Sequence, residues 1–128
     1  SCWGNNGDGQ LGDGTTASRS TPGPVSGGLE FVSLTAGVGH TCGLTADGEA
    51  YCWGSNSVGE LGDGTRTARS TPVAVAGGRT FSLLVTRGSH TCGLDLAGVA
   101  YCWGDNSYGQ LGDGTGGYAL TPVTVPIG

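Results

Sequence analysis

The 128-residue chain has a formal net charge of −5, contains 28 glycines, and has no lysine, so its five positive charges are all arginines. An acidic chain without a basic run is poorly suited to bind phosphates, and no apolar stretch is long enough to cross a bilayer. We therefore expect neither nucleic-acid binding nor membrane insertion. Three Trp and four Tyr are more large apolar groups than a solvated, disordered chain carries, which predicts a folded protein.

Short motifs recur along the chain at a constant spacing of 50 residues. Cys-Trp-Gly begins at positions 2, 52 and 102, and Leu-Gly-Asp-Gly-Thr occupies residues 11–15, 61–65 and 111–115. A fixed period of this length indicates a repeat architecture. We predict a half unit over residues 1–26, a complete unit over 27–76 and a second complete unit over 77–128.

Each complete unit is predicted to contain four short strands. In the first unit these are FVSLTAG, HTCGLT, EAYCWG and STPVAV, which are separated by Gly, Asp and Pro clusters and show no helical period. An immunoglobulin-like sandwich would not repeat internally, and β-solenoid coils are usually shorter. The prediction is therefore an all-β fold of about two and a half antiparallel β-propeller blades, belonging to a larger propeller or assembly.

The segment HTCGLTADGEAYCWG is predicted to form a β-hairpin around a three-residue loop ending at Gly48. Counting outward from Asp47 places Cys42 opposite Cys52 as a non-hydrogen-bonded pair, at the separation that a disulfide needs. The second hairpin repeats this arrangement with Cys92 and Cys102. The same register puts the partner of Cys2 ten residues upstream, before the first residue of this sequence, so Cys2 is expected to lack a partner in the chain.

Metal binding and catalysis are the alternative roles for the histidines, cysteines and carboxylates. His40 with Cys42 and Cys52 could hold zinc or form a Cys-His catalytic pair, but neither set has a further ligand or an orienting group in evidence. His40 and His90 recur at the same place in each unit, which favours a structural role. Asp13, Asp63 and Asp113 are expected to accept backbone N–H groups in turns rather than to bind calcium. We expect no catalytic residues, no metal and no cofactor.

The motifs CWGSNSVGELGDGT, STPV, a Gly-Gly pair and AGVGHTCGL together resemble the repeat of the regulator-of-chromosome-condensation family. The resemblance covers essentially the whole chain and implies seven-bladed propellers in complete members. The cysteine-bearing form is similar to repeats of secreted bacterial proteins, which implies an extracellular or periplasmic location. Branches of the family act in nucleotide exchange on Ran or in β-lactamase inhibition. Neither activity is expected here, because the chain matches only the repeat.

Contacts with a partner are expected where the repeats differ, since identical positions mostly build the blade. Aromatic and arginine residues are favoured in binding hot spots, and the candidate partner-binding residues are Tyr108, Tyr118, Arg66 and Arg69. The predicted function is a secreted, disulfide-stabilised, non-enzymatic protein-interaction or structural module. Its partners would be proteins, or further copies or segments that complete the propeller. The alternatives are a repeat unit of a larger extracellular assembly, and a metal-binding or enzymatic protein that uses the His and Cys sets.

Overall fold

The computed structural model describes residues 2–4, 7, 9–12, 14–16, 19–23, 25, 30–78, 80–105 and 118–124, and every regular element in these ranges is a β-strand. The strands are β1 (Cys2–Gly4), β2 (Arg19–Gly23), β3 (Ser33–Ala36), β4 (His40–Leu44), β5 (Ala50–Gly54), β6 (Arg69–Ala74), β7 (Phe81–Arg87), β8 (His90–Asp95), β9 (Ala100–Asp105) and β10 (Tyr118–Thr124).

The strands form two four-stranded antiparallel sheets and one strand pair. The first blade has the order β3-β4-β5-β6, the second blade has the order β7-β8-β9-β10, and β1 pairs with β2. Within each sheet, every strand lies beside its neighbour in sequence. The predicted all-β fold with four strands in each complete unit is confirmed.

The hairpin between β4 and β5 has the predicted register. Leu44 lies opposite Ala50, and Cys42 lies opposite Cys52. The Thr45 N–H donates to the Glu49 carbonyl at 3.0 Å and closes the loop. Gly48 has a φ of +84°, the left-handed conformation that a three-residue hairpin loop needs and that a side chain would strain.

The main core lies between the two blades. The buried side chains of this cluster are Cys42, Leu44, Ala50, Cys52, Leu61, Val75, Phe81, Leu84 and Trp103. The first blade is covered on both faces, since Leu44 is 4% exposed and Trp53 on the opposite face is fully buried. The face of the second blade that corresponds to Leu44 is more open, because Leu94 is 37% exposed. No described element packs on that face.

Among the described residues, no helix has the length and apolar character needed to span a membrane.

Candidate interaction surface

The four hairpin cysteines are joined in the two predicted pairs. The Sγ atoms of Cys42 and Cys52 are 2.12 Å apart, those of Cys92 and Cys102 are 2.07 Å apart, and the Cα atoms of each pair are 4.1 Å apart. Both pairs join strands that lie directly opposite each other. Each disulfide therefore fixes the register of its hairpin.

These disulfides argue against the hypotheses that Cys42 and Cys52 bind zinc with His40 or act in a Cys-His catalytic pair. A metal ligand or a nucleophile must be a thiolate, and a sulfur bonded to another sulfur has no proton to lose. Within the described ranges, no group of three His, Cys, Asp or Glu side chains is placed to hold a metal ion. Cys2 lies in β1 opposite Gly23, and its side chain is outside the described residues. The prediction that Cys2 has its partner elsewhere stays a prediction.

His40 joins the first blade to the second. Its Nε2 lies 2.8 Å from the Oγ1 of Thr91, and the Thr91 hydroxyl donates its hydrogen to the Glu60 carbonyl at 3.0 Å. Because a hydroxyl has one hydrogen to give, the Nε2–H of His40 must be the donor to Thr91. The sequence predicted a structural role for this histidine, and the structure shows that role at the contact between blades.

The environment of His40 favours its neutral form. The side chain is 1% exposed, and its Nδ1 has no hydrogen-bond partner among the described residues. Burial, together with repulsion from His90, lowers the pKa of His40 from 6.5 to about 4. The pKa of His90 is also lowered, mainly by burial, with Asp105 raising it and Arg87 lowering it. His40 therefore acts as a neutral hydrogen-bond donor.

The loop between β5 and β6 is closed from inside by Asn56, which is 1% exposed. Its Oδ1 accepts the Leu61 N–H at 3.0 Å, and its Nδ2 lies 2.9 Å from the Thr65 carbonyl and 3.1 Å from the Thr67 carbonyl. One side chain thus joins both halves of the loop. Sequence reasoning missed Asn56, although the recurrence of Asn at positions 6, 56 and 106 was a signal that could have found it.

Asp63 organises the next turn of the loop. Its Oδ1 accepts the Thr65 N–H at 3.0 Å and the Thr65 hydroxyl at 2.8 Å, as the turn prediction requires. Burial alone would raise the pKa of Asp63, but the hydrogen bonds from Thr65 and Asn56 and the charge of Arg69 hold it below its ordinary value. Asp63 Oδ2 lies 3.5 Å from Arg69 Nε. The carboxylate therefore stays ionised and also positions an arginine.

The same loop reaches across to the second blade. Gly62 has a φ of +70° and lies against the indole of Trp103, where a Cβ would come within 2.7 Å of Nε1. The Gly64 N–H donates to the Leu120 carbonyl at 2.9 Å. The equivalent contacts occur 50 residues earlier, between Gly12 and Trp53 and between the Gly14 N–H and the Ser70 carbonyl. The recurring LGDGT motif therefore joins neighbouring blades.

Two of the four predicted partner-binding residues have described side chains. Arg66 is exposed, and its Nε donates to the Ser57 carbonyl at 2.7 Å across the loop. Arg69 is 40% exposed and forms the ion pair with Asp63. Tyr118 begins β10, two residues before the Leu120 that the loop contacts, and its side chain is outside the described set. Tyr108 also lies outside the described residues. Partner binding by all four stays a prediction.

Comparison with protein families matches this architecture to known repeats. The family description "Regulator of chromosome condensation (RCC1) repeat" matches residues 2–44 and 47–94, and a second family model with the same description matches residues 31–60 and 88–110. The chain belongs to the RCC1 repeat family. The predicted resemblance is thereby confirmed at the level of the family. A search of curated proteins finds no significant match.

Several solved structures have the same fold as this RCC1-repeat chain. Human WBSCR16 is 25% identical with a TM-score of 0.84, and the match covers 98% of this chain and 34% of WBSCR16. Prp20p from Saccharomyces cerevisiae is 20% identical with a TM-score of 0.82 and coverages of 98% and 33%. Yeast RCC1 (Prp20) bound to Kap60 gives 21% identity, a TM-score of 0.81 and coverages of 98% and 32%. The chain spans about one third of each of these proteins.

Proposed function

We propose that this RCC1-repeat chain is a non-enzymatic protein-interaction module, stabilised by disulfides and located outside the cytoplasm, in the extracellular or periplasmic space. Its binding surface is the β5–β6 loop with Arg66 and Arg69, together with Tyr108 and Tyr118. The observation that carries the proposal is the bond from Arg66 Nε to the Ser57 carbonyl, which holds an exposed guanidinium on a loop closed by Asn56. The partner is a protein that offers carboxylates to this loop.

The physical argument is preorganisation. Ordering a flexible loop at the moment of binding costs free energy, and the contacts of Asn56 and Asp63 have already ordered this one. The arginine guanidinium has a planar arrangement of donors that matches a carboxylate, and arginine is frequent in binding hot spots. The Gly64 contact with Leu120 brings the loop against the strand that Tyr118 begins. Residues of two blades can therefore contribute to one contact area.

The disulfides support the proposed location, because such bonds persist in oxidising compartments and are rare in the cytosol. A bacterial, exported source is what the resemblance to cysteine-bearing repeats implies. Counting free thiols in denatured, non-reduced protein purified from its source tests this part. Four free thiols from the hairpin cysteines would contradict it.

Site-specific photo-crosslinking in the source organism tests the binding surface. A photoreactive residue replaces Arg66 in one variant and the exposed Arg87 of β7 in the control. We expect a defined protein adduct at position 66 and none of the same mass at position 87. With the captured protein purified, the Arg66→Ala change should weaken its binding about tenfold or more, and Arg87→Ala should leave it unchanged. Equal crosslinking at both positions would refute the loop surface.

A further inference from the structure

A depression of about 150 Å³ lies between the first blade and the connection that leads to the second. We call it the hairpin pocket. Its polar lining residues are Glu49, Tyr51 and Thr80, and its most buried lining residues are Ala50 and Val75, which are 5% and 8% exposed. Pockets for drug-sized ligands measure about 300–1,000 Å³. The hairpin pocket therefore has room only for a small group, such as the end of one side chain.

Backbone hydrogen bonds fix the walls of this pocket relative to one another. The Val75 N–H donates to the Ala50 carbonyl at 3.0 Å, which joins β5 to the chain that leaves β6. The Phe81 N–H donates to the Gly48 carbonyl at 2.7 Å, which places Thr80 beside the hairpin loop. All of these elements belong to the first blade or to its connection with the second. A ligand therefore meets a pocket that is already formed, which avoids the cost of ordering it.

The carboxylate of Glu49 is not needed to close its hairpin. In the first blade the Thr45 N–H donates to the Glu49 carbonyl, and in the second blade the Asp95 N–H donates to the Val99 carbonyl, both at 3.0 Å. Val99 is equivalent to Glu49 in the repeat and has no acidic group, so backbone atoms alone close this loop. With the described residues, the Glu49 carboxylate forms no hydrogen bond and no ion pair.

Tyr51 adds an aromatic ring on the same side of the pocket as Glu49. Side chains two residues apart along an extended chain project from the same face, so these two are neighbours. The Tyr51 ring is half-buried and packs edge-to-face against Phe31, with the ring centroids 6.2 Å apart. A carboxylate beside an aromatic ring favours a cation, because the ring face attracts positive charge and the carboxylate accepts N–H groups.

We propose that the hairpin pocket binds a primary alkylammonium group, as a lysine side chain or a free aliphatic amine presents it. The Glu49 carboxylate and the Thr80 hydroxyl accept its N–H groups, and its methylene chain lies against Tyr51 and Val75. The pocket lies at the start of β5, whereas the loop that carries Arg66 follows the end of β5. Binding at this pocket is therefore independent of the proposed Arg66 surface.

An amide NMR titration of the chain tests the proposal, with n-butylammonium chloride as the probe and n-butanol as its uncharged isostere. We expect n-butylammonium to shift the amide signals of Glu49, Tyr51 and Thr80 in a saturable way, and n-butanol to bind about fivefold more weakly or not at all. Glu49→Gln should weaken n-butylammonium binding about fivefold. Asp47→Asn, which removes the same charge two residues away, should change it by less than about twofold. Absence of a saturable shift, equal binding of the two probes, or equal weakening by the two substitutions would overturn the proposal.

Two further arms identify the occupant. Arg79 separates Gly78 from Thr80 in the sequence and lies outside the described residues. If n-butylammonium binds only after Arg79→Gln, the chain's own guanidinium competes for the pocket and the proposal is overturned. A capped peptide with one lysine, and the same peptide with acetyl-lysine, distinguish the two sources of the amine. Binding of the lysine peptide at least as tight as that of n-butylammonium assigns the pocket to a protein lysine, and weaker binding assigns it to a free amine. Equal binding of the two peptides would overturn the proposal.

Discussion

Replacing Thr91 by valine should reveal how much of the stability depends on the contact between the blades. Thr91 is fully buried, and its hydroxyl both accepts from His40 and donates to the Glu60 carbonyl. Valine has nearly the same shape but leaves the His40 N–H and the Glu60 carbonyl buried without a partner. Each such group costs about 1–3 kcal/mol, so Thr91→Val should lower the free energy of unfolding by about 2–6 kcal/mol.

The repeat supplies a matched control in Thr41. This residue occupies the same place in the first blade, is 9% exposed, and donates to the Gln10 carbonyl at 2.9 Å. Among the described residues, no histidine donates to its hydroxyl. Thr41→Val leaves one group unpaired instead of two and should therefore cost only about 1–3 kcal/mol. The two substitutions remove the same atoms, so their difference isolates the additional contact that Thr91 makes.

Urea unfolding under oxidising conditions, followed by tryptophan fluorescence, measures both variants. The double variant with His40→Gln adds a thermodynamic cycle, in which we expect a coupling of about 1 kcal/mol or more between positions 40 and 91. If Thr91→Val and Thr41→Val cost the same within about 0.5 kcal/mol, the assignment of His40 Nε2–H as donor to Thr91 would be refuted.

Three further predictions concern pH, glycine geometry and the disulfides. His40 is protonated near pH 6.5 in the unfolded chain and only near pH 4 in the folded chain. The stability that depends on neutral His40 should therefore be complete above pH 6.5 and be lost as the pH falls toward 4, by at most about 3 kcal/mol. Urea unfolding across this range should show less acid sensitivity in His40→Gln, and equal sensitivity would contradict the burial argument. Gly62→Ala should lower the free energy of unfolding by at least about 1 kcal/mol more than Gly98→Ala does, because both glycines have a positive φ but only Gly62 has an indole in the path of the new methyl group. Thermal unfolding of the two variants checks this, and equal losses of stability would contradict it. Under a limiting phosphine reductant, the Cys92–Cys102 bond should be reduced at least about tenfold faster than the fully buried Cys42–Cys52 bond, because access governs the reaction. Differential alkylation and mass spectrometry follow both pairs, and reduction of both at the same rate would contradict the difference in their burial.

The features that sequence predicted well depend on local geometry. The pairing of Cys42 with Cys52 follows from a short loop and from strand alternation, and both lie within one hairpin. The four strands of each complete blade follow from the spacing of turn residues. Asn56 could also have been found, because it recurs in every unit. Its four hydrogen-bonded neighbours, Leu61, Asp63, Thr65 and Thr67, lie along a loop whose path no pattern of alternation describes.

The contacts between blades are harder to predict from sequence. In a strict repeat each motif occurs more than once, so the sequence does not show which copy a given residue contacts. His40 and Thr91 are 51 residues apart, and the adjacent Thr41 is an equally good acceptor by composition. The candidate binding residues show a related difficulty. Sequence favours Arg69 because it is an arginine near positions where the repeats differ, yet the structure places it at the start of β6, with its Nε 3.5 Å from Asp63 Oδ2. Variation between repeats shows which positions of a blade can differ. Only the folded structure shows which side chains at those positions are exposed.

The structure also shows that identical motifs do not have identical environments. The sequence HTCGL occurs in both blades, but the two histidines have different environments. His40 is buried and hydrogen-bonded to Thr91, whereas His90 is half-buried on the more exposed face of the second blade. The contact between the two complete blades takes its histidine and its covering loop from the first blade and its threonine and tryptophan from the second. An array built from such directional contacts has two chemically different ends. Equivalent substitutions in the two blades should therefore differ in their cost, and that difference measures the contact between blades directly.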